Sequence, residues 1–390
     1  MTVSDSDSDS QARWEAFIDA LVADREPLTE RIRQSIRTGL PTYRNVSDRE
    51  LDWGFRIDLD GTLRAARAGH EGVTDEQLAA LTPVGEARAQ QGIPIADVLL
   101  AWRIGVQVVI DRATEIRPQL DISEAEMLRF VRALIAASDR AMAIIASAHR
   151  TADLELATRE HERRATVVRE VLLGAIAPVV ARAHAESCGI DISREYVAVR
   201  AADVPEERTQ RERQLGFQGT VTPRLGLAAM IDDDLAGFLV RPPAGELTFA
   251  VAVGPSRPIE RLTESFELAS RTLATMRAFE MVGVCDLDAL GVLPAIVADR
   301  AVGDALVRRY LEPLAGSQAE IAASLRVLFE SDMHVERAAE QLFVHPNTLR
   351  YRIGRFEEIT GTNLRNPRSA LEVWWALQRD AIQARPTPRP

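Results

Sequence analysis

The sequence predicts a multidomain, mostly α protein: an all-α bundle in the N-terminal part, an α+β domain in the middle and an all-α helix-turn-helix domain in the C-terminal part. Three observations carry that assignment. From Trp14 to about residue 150, apolar residues recur at helical spacing and no convincing strand appears. Between roughly 176 and 316 the pattern changes to short alternating runs, Tyr196–Arg200, Leu227–Ile231, Gly237–Val240, Leu247–Val253 and Val282–Cys285, which read as strands. Near the other end, Val335–Gly361 reads as two helices joined by a tight turn.

Taken in order, residues 1–10, a serine–aspartate run, have the composition of a disordered tail. An all-helical domain over 11–150 follows. Trp14, Phe17, Ile18, Leu21 and Val22 share one face, and Leu28, Ile32 and Ile36 continue the period to a stop at Leu40-Pro41. Gly61, Gly69 and Gly72 mark loops ahead of a helix near Asp75–Gln91. Pro94 opens a long apolar helix with Val98, Leu99, Trp102, Val106, Val109 and Ile110, and another runs from about Ser123 through Ala148. Residues 151–175 extend it as a charged linker helix. A solvated connector and a dimerising helix both fit its Leu154, Ala157, His161, Val168 and Val171, because Arg164 interrupts the seam.

In the α+β domain, 176–316, Ile231-Asp-Asp-Asp-Leu235 has the make-up of a hairpin turn, since Asp tolerates turn geometry. Pro258–Phe279 is a long amphipathic helix, and the strands are expected to form a small antiparallel sheet. The last domain, 317–383, has four expected helices: Ala319–Phe329, the two of the central hairpin, and Pro367–Ile382 with Leu371, Trp374, Trp375 and Ala376 toward the core. Residues 384–390 read as a disordered tail.

Composition narrows the function classes. Hydrophobic residues make up 46% and charged residues 27%, as in an ordinary globular protein. No apolar run is long enough for a membrane span, and the acidic, polar start is unlike a signal peptide, so a cytoplasmic protein is expected. Cys188 and Cys285 form no metal or redox motif, which fits a reducing compartment. The histidines at 70, 149, 161, 184, 334 and 345 make no ligand-spaced pair, so no metal is expected, and with none in the helix that Pro94 opens and His149 at a helix end, no haem is expected either. All 47 basic residues are arginine, which excludes a P-loop lysine. Asp232, Asp233 and Asp234 are the one carboxylate cluster suited to Mg²⁺ and nucleotide chemistry, and a solvated turn is the simpler account of them.

Chemistry is plainest in the hairpin. Val335, Ala338, Ala339 and Leu342 mark the buried face of its first helix. Pro346 stands where a second helix can start, because its missing N–H would have no partner there. Leu349, Ile353 and Phe356 give that helix an apolar stripe, and Gly361 suits a left-handed cap. Opposite the stripe, Asn347 and Tyr351 point outward. Thr348 and Arg355 lie on one flank and Arg350 on the other, while Arg352 tilts toward the core side, where it would meet phosphate. His345 precedes the helix, and no acid falls between it and Phe356. Asn and Arg make paired hydrogen bonds to purine edges in a major groove, so the face predicts DNA contact through His345, Asn347, Thr348, Arg350, Tyr351, Arg352 and Arg355. The net charge of −11 does not oppose this. Residues 317–390 hold ten Arg against nine acids, a balance of +1, which leaves −12 upstream.

The residues of this hairpin resemble the PucR/CdaR group of bacterial transcriptional regulators. Ala338–Leu342, then Val344-His345-Pro-Asn347-Thr348-Leu349-Arg350-Tyr351-Arg352-Ile353, then Glu358-Ile-Thr360-Gly361, follow that group's helix-turn-helix over roughly 318–380. The middle region is similar to the degenerate GGDEF-like, or cyclase-like, domain of the same proteins, through Val253–Pro258 and Ala269–Leu273. Active cyclases have paired glycines in the hairpin, and Ile231–Phe238 lacks them, so the resemblance implies the fold without the activity. The N-terminal region is similar to the sensor-like helical region of RsbR-type stress proteins, through Leu40–Tyr43 and Gly85–Arg103. Together these imply a homodimer binding promoter DNA, with an unknown small-molecule or protein effector acting upstream. Two other functions stand beside that one: a stress-signalling adaptor working through the N-terminal bundle, and a nucleotide-acting enzyme.

Overall fold

The computed structural model describes the chain apart from residues 1–2, 54–62, 64–66, 68–74, 203–204, 218–224, 317 and 386–390. Gly61, Gly69, Gly72 and His70, with most of the expected C-terminal tail, therefore lie outside the described residues. The chain divides into two units, Met1–His161 and Glu162–Pro390.

The first unit is helical: α1 (Val3–Ala23), α2 (Arg25–Gly39), α3 (Asp75–Ala79), α4 (Thr82–Gln90), α5 (Ile95–Ile116) and the first part of α6 (Glu124–Leu173). The expected faces are the buried ones. Phe17, Ile18, Leu21, Leu28, Ile32 and Ile36 lie in the core with Trp102 and Phe130. The Phe17 and Phe130 rings meet edge to face at 5.4 Å. Three local expectations are corrected. The serine–aspartate run is helical from Val3, because adding turns to an existing helix needs no new nucleus. A break at Asp24 separates α1 from α2, where one helix was expected. The Asp75–Gln91 segment is two helices, since Pro83 opens a fresh first turn in α4.

A reciprocal cap sets the start of α6. The Ser123 N–H donates to Glu126 Oε2 at 2.8 Å, and the Glu126 N–H donates back to Ser123 Oγ at 3.2 Å. The Ser10 hydroxyl also donates to the carboxylate, at 2.8 Å. These bonds, led by the Ser123 hydroxyl, hold the Glu126 pKa down at about 2.

In the second unit, α7 (Pro178–Ser187) and α8 (Arg208–Leu215) accompany a sheet of β1 (Glu195–Ala202), β2 (Gly226–Ile231), β3 (Asp234–Leu239), β4 (Ala250–Val253), the two-residue β5 (Arg257–Pro258) and β6 (Gly283–Cys285). The strand order is β2-β3-β1-β4-β6. All pairs are antiparallel except β4 with β6, which run parallel, so the expected purely antiparallel sheet is a mixed one. The helix α9 (Leu262–Ala278) connects β5 to β6, and a helical crossover returns the chain in the direction of β4.

Alternation along β1 sorts two cores. Tyr196 and Ala198 face Val168, Val171, Leu172, Leu262 and Phe266 on one side. Val197, Val199 and Ala201 face Leu215, Leu235 and Phe249 on the other. Val168 and Val171 of the expected linker are thus occupied in this core. The approach of α9 to the sheet is close enough to require Gly254, where a Cβ would fall 2.0 Å from the Ser265 carbonyl oxygen. The Ser265 hydroxyl accepts the Ala198 N–H at 3.0 Å, and the Gly254 N–H donates to the Ala198 carbonyl at 2.9 Å.

The remaining helices are α10 (Leu293–Ala298), α11 (Arg300–Tyr310), α12 (Ala319–Glu330), α13 (Val335–Gln341), α14 (Pro346–Thr360) and α15 (Pro367–Ala384). Their core joins Tyr310, Leu325, Leu328, Leu349, Phe356, Val373, Ala376 and Leu377. On α15 the residues taken for the core are corrected in part: Leu371 is exposed and Trp374 and Trp375 are half-buried. The 373, 376 and 377 spacing defines the buried face, and the two indoles flank it. Arg379 is buried on the same side and donates through Nε to Asp304 of α11 at 2.8 Å.

Candidate nucleic-acid interface

The hairpin expected from the sequence is α13, a short turn and α14. Ala338 and Ala339 are fully buried on α13, and their small side chains let the second helix come close. The turn is tied by backbone bonds from Leu342 N to Ala338 O at 3.0 Å and from Val344 N to Ala339 O at 3.0 Å. Pro346 takes the first turn of α14 as expected, and His345 is its N-cap, with Nδ1 accepting the Asn347 N–H at 3.1 Å. At the other end Gly361 adopts φ 67°, the left-handed cap.

Leu349 and Phe356 are fully buried and Ile353 is half-buried, so the apolar stripe seats α14 on the core. The opposite face carries Asn347, Thr348, Arg350, Tyr351 and Arg355, all exposed, with His345 exposed at its start. Tyr351 is 72% exposed. Those six side chains therefore share one accessible surface. Arg352 differs: it is half-buried, and its guanidinium donates to Ser324 Oγ at 3.0 Å and pairs with Glu320, both on α12. It ties α14 to the helix behind it.

Two features of this surface are not apparent from the sequence pattern. No acid falls between His345 and Phe356, yet Glu336 from α13 reaches Arg350 and pairs with it. Arg350 also donates to Asn347 Oδ1 at 3.2 Å, and Arg355 pairs with Glu358 at 2.9 Å. Exposed pairs of this kind are worth about 0–1 kcal/mol, so phosphates could displace these acids at small cost. The second feature is Phe343 in the turn. It is 96% exposed and has φ 54°, a left-handed conformation unfavourable to a bulky side chain.

The competing carboxylate cluster has a structural account. Asp232 and Asp233 form a two-residue hairpin turn with φ 49° and 62°, the left-handed pair that a twisted β-hairpin favours. Asp234 is 1% exposed and clamped by two arginines, Arg200 Nε at 2.9 Å and Arg277 Nη1 at 3.1 Å. Its charge is neutralised inside the protein, and no group of three or more His, Cys, Asp or Glu suited to a metal occurs among the described residues. Among those residues, no helix is long and apolar enough to cross a membrane.

Comparison with known proteins gives two family matches. Residues 321–378 match the PucR C-terminal helix-turn-helix domain, which spans α12 to α15. Residues 26–164 match the RsbT co-antagonist protein rsbRD N-terminal domain. Among curated relatives, an uncharacterized Mycobacterium tuberculosis protein is 32% identical over 124 residues, 31% of this chain and 30% of that one. One from Haemophilus influenzae is 34% identical over 119 residues, 29% of this chain and 32% of that one. The alignments thus span about a third of these relatives' length. A solved structure titled as a regulator of polyketide synthase expression from Bifidobacterium adolescentis is 18% identical, covering 57% of this chain and 94% of that one, but its TM-score of 0.26 supports no argument. The matched helix-turn-helix is the element whose outer face carries the exposed Asn, Thr, Tyr and Arg side chains, so the chain combines a helix-turn-helix of the PucR C-terminal type with an rsbRD-type helical domain upstream.

Proposed function

We propose that the protein binds promoter DNA sequence-specifically, as a homodimer, by laying the N-terminal half of α14 in the major groove. One observation carries this reading: His345, Asn347, Thr348, Arg350, Tyr351 and Arg355 are exposed together on a helix held rigidly by Leu349 and Phe356. Asn347 and Arg350 read base edges, and Thr348, Tyr351 and Arg355 reach backbone or thymine methyls. Arg352 braces α14 against α12 and gains a phosphate only if Glu320 releases it. A dimer matches the two-fold symmetry of operators read by such hairpins.

The domains before the hairpin are read as its regulators, responding to an effector in the cytoplasm. The middle domain suits a degenerate cyclase-like fold, because its hairpin turn has two aspartates where an active site would have glycines, and Asp234 is neutralised. The description of the N-terminal match, an RsbT co-antagonist domain, favours a protein partner for the helical bundle as a second role.

Gel shifts of the full chain on its own upstream DNA test the main reading. Asn347→Ala or Arg350→Ala each cost about 1–3 kcal/mol of binding and relax base preference at one position. Retention of wild-type specificity by both variants would place another face in the groove. No sequence-dependent binding by the wild type, even at low salt, would remove the reading altogether.

A further inference from the structure

We infer that Phe343, in the turn of the hairpin, is a further DNA-contacting residue, whose ring packs on the sugar carbons and thymine methyls lining the groove edge where α14 enters. This rests on the DNA-binding reading above and extends it to a residue outside the helix.

Three observations converge on the ring. A phenyl group 96% exposed to water contributes almost nothing to its own core, unlike Leu342 and Val344 on either side, which are partly buried against that core. The backbone beneath it is in the left-handed region at φ 54°, where Gly or Asn would fit with less strain. The fold would therefore be served as well or better by a smaller residue, so neither packing nor turn geometry accounts for a phenylalanine here. Third, the position is set. The Phe343 N–H donates to the Glu340 carbonyl at 3.1 Å and the Val344 N–H to Ala339 at 3.0 Å, so a fixed turn holds the ring. It lies two residues before His345 and four before Asn347, at the end of the recognition helix that comes nearest the bases in hairpins of this kind.

Charge favours nucleic acid over a protein surface as the occupant. The ring is followed along the chain by exposed His345, Asn347 and Arg350, a polar and cationic run suited to phosphate, whereas a protein-docking patch would be expected to continue as apolar surface. An apolar contact of this type releases no counterions. It therefore adds affinity without steepening the salt dependence.

The test uses the full chain with Phe343→Gly, Phe343→Asn and Phe343→Trp, measuring the thermal midpoint, the affinity for its upstream DNA at several salt concentrations, and the sedimentation behaviour without DNA. Gly and Asn should leave the thermal midpoint unchanged or raise it, yet lower DNA affinity about tenfold with the same salt slope, while Trp stays within about twofold of wild type. Wild-type affinity in the Gly and Asn variants would overturn the inference and leave the reading of α14 standing. Lost affinity accompanied by a change in oligomeric state would also overturn it, because the ring would then serve a contact between copies. Absence of sequence-dependent binding by the wild type would instead remove the underlying reading.

Discussion

Leu349 and Arg352 are three residues apart on α14 and illustrate two ways of holding a recognition helix. Leu349 is fully buried, so Leu349→Ala should cost about 2–5 kcal/mol of stability and be read directly in a denaturant titration. Arg352 spans to Ser324 and Glu320 from a half-buried position. Its truncation should cost about 1 kcal/mol of stability and weaken DNA binding evenly across operator variants, without altering base preference. A binding-site selection with Arg352→Ala that changes the preferred base would show that this side chain reads sequence. Period alone identifies Leu349, Phe356 and the outer face, because a helix interior depends on residues three and four apart. It could not anticipate Glu336 beside Arg350 or the bond from Arg352 to Ser324, since those partners come from other helices and depend on the crossing geometry.

At the level of elements, the start of α6 makes a pH prediction. The Glu126 pKa is held at about 2, against an ordinary value of 4.5, chiefly by the Ser123 hydroxyl. A carboxylate with a depressed folded pKa binds fewer protons folded than unfolded, so its contribution is present above pH 4.5 and is lost as pH falls toward 2. Glu126→Gln should lower stability at neutral pH and flatten the acid limb of a stability-against-pH curve. An unchanged acid limb would mean that the cap contributes little. Glu372 and Asp304 shift in the same direction, through the Tyr310 hydroxyl and Arg379 respectively, so the helices of the last domain add to the same limb. Elements were legible where a stop signal coincides with a period, as at Pro94, Pro346 and Gly361. They were misread where it does not. Neither the break at Asp24 nor the parallel pairing of β6 has a local signature, because both follow from packing at a distance.

For the whole molecule, charge distribution sets how DNA binding responds to salt. The −12 upstream of residue 317 opposes non-specific attraction to phosphate, and only Arg350 and Arg355 are exposed on the outer face of α14 proposed to enter the groove. A dimer making about two or three phosphate contacts per protomer should give a log–log salt slope no steeper than about −5. A steeper slope, measured on the full chain, would point to additional basic surface in the complex. The succession of helical, mixed and helical structure could be read from the sequence, because alternating runs in the middle stand out from the helical period on either side.

The helix α6 has a further consequence along its length. It holds 50 residues, and what lies against it changes. Ala148 and Ala152 are buried at one side of a stretch, Ala165 and Val168 at the other, and from Asp153 to Arg164 the side chains are exposed or only half-buried. No residue of this stretch is buried; its side chains make surface contacts, such as Glu155 with Arg159 and the Arg163 guanidinium donating to Ser187 Oγ at 2.9 Å. Deuterium uptake should therefore be uneven within one helix: slow amides at 130–150 and 166–172, and between them a window that opens and exchanges much sooner.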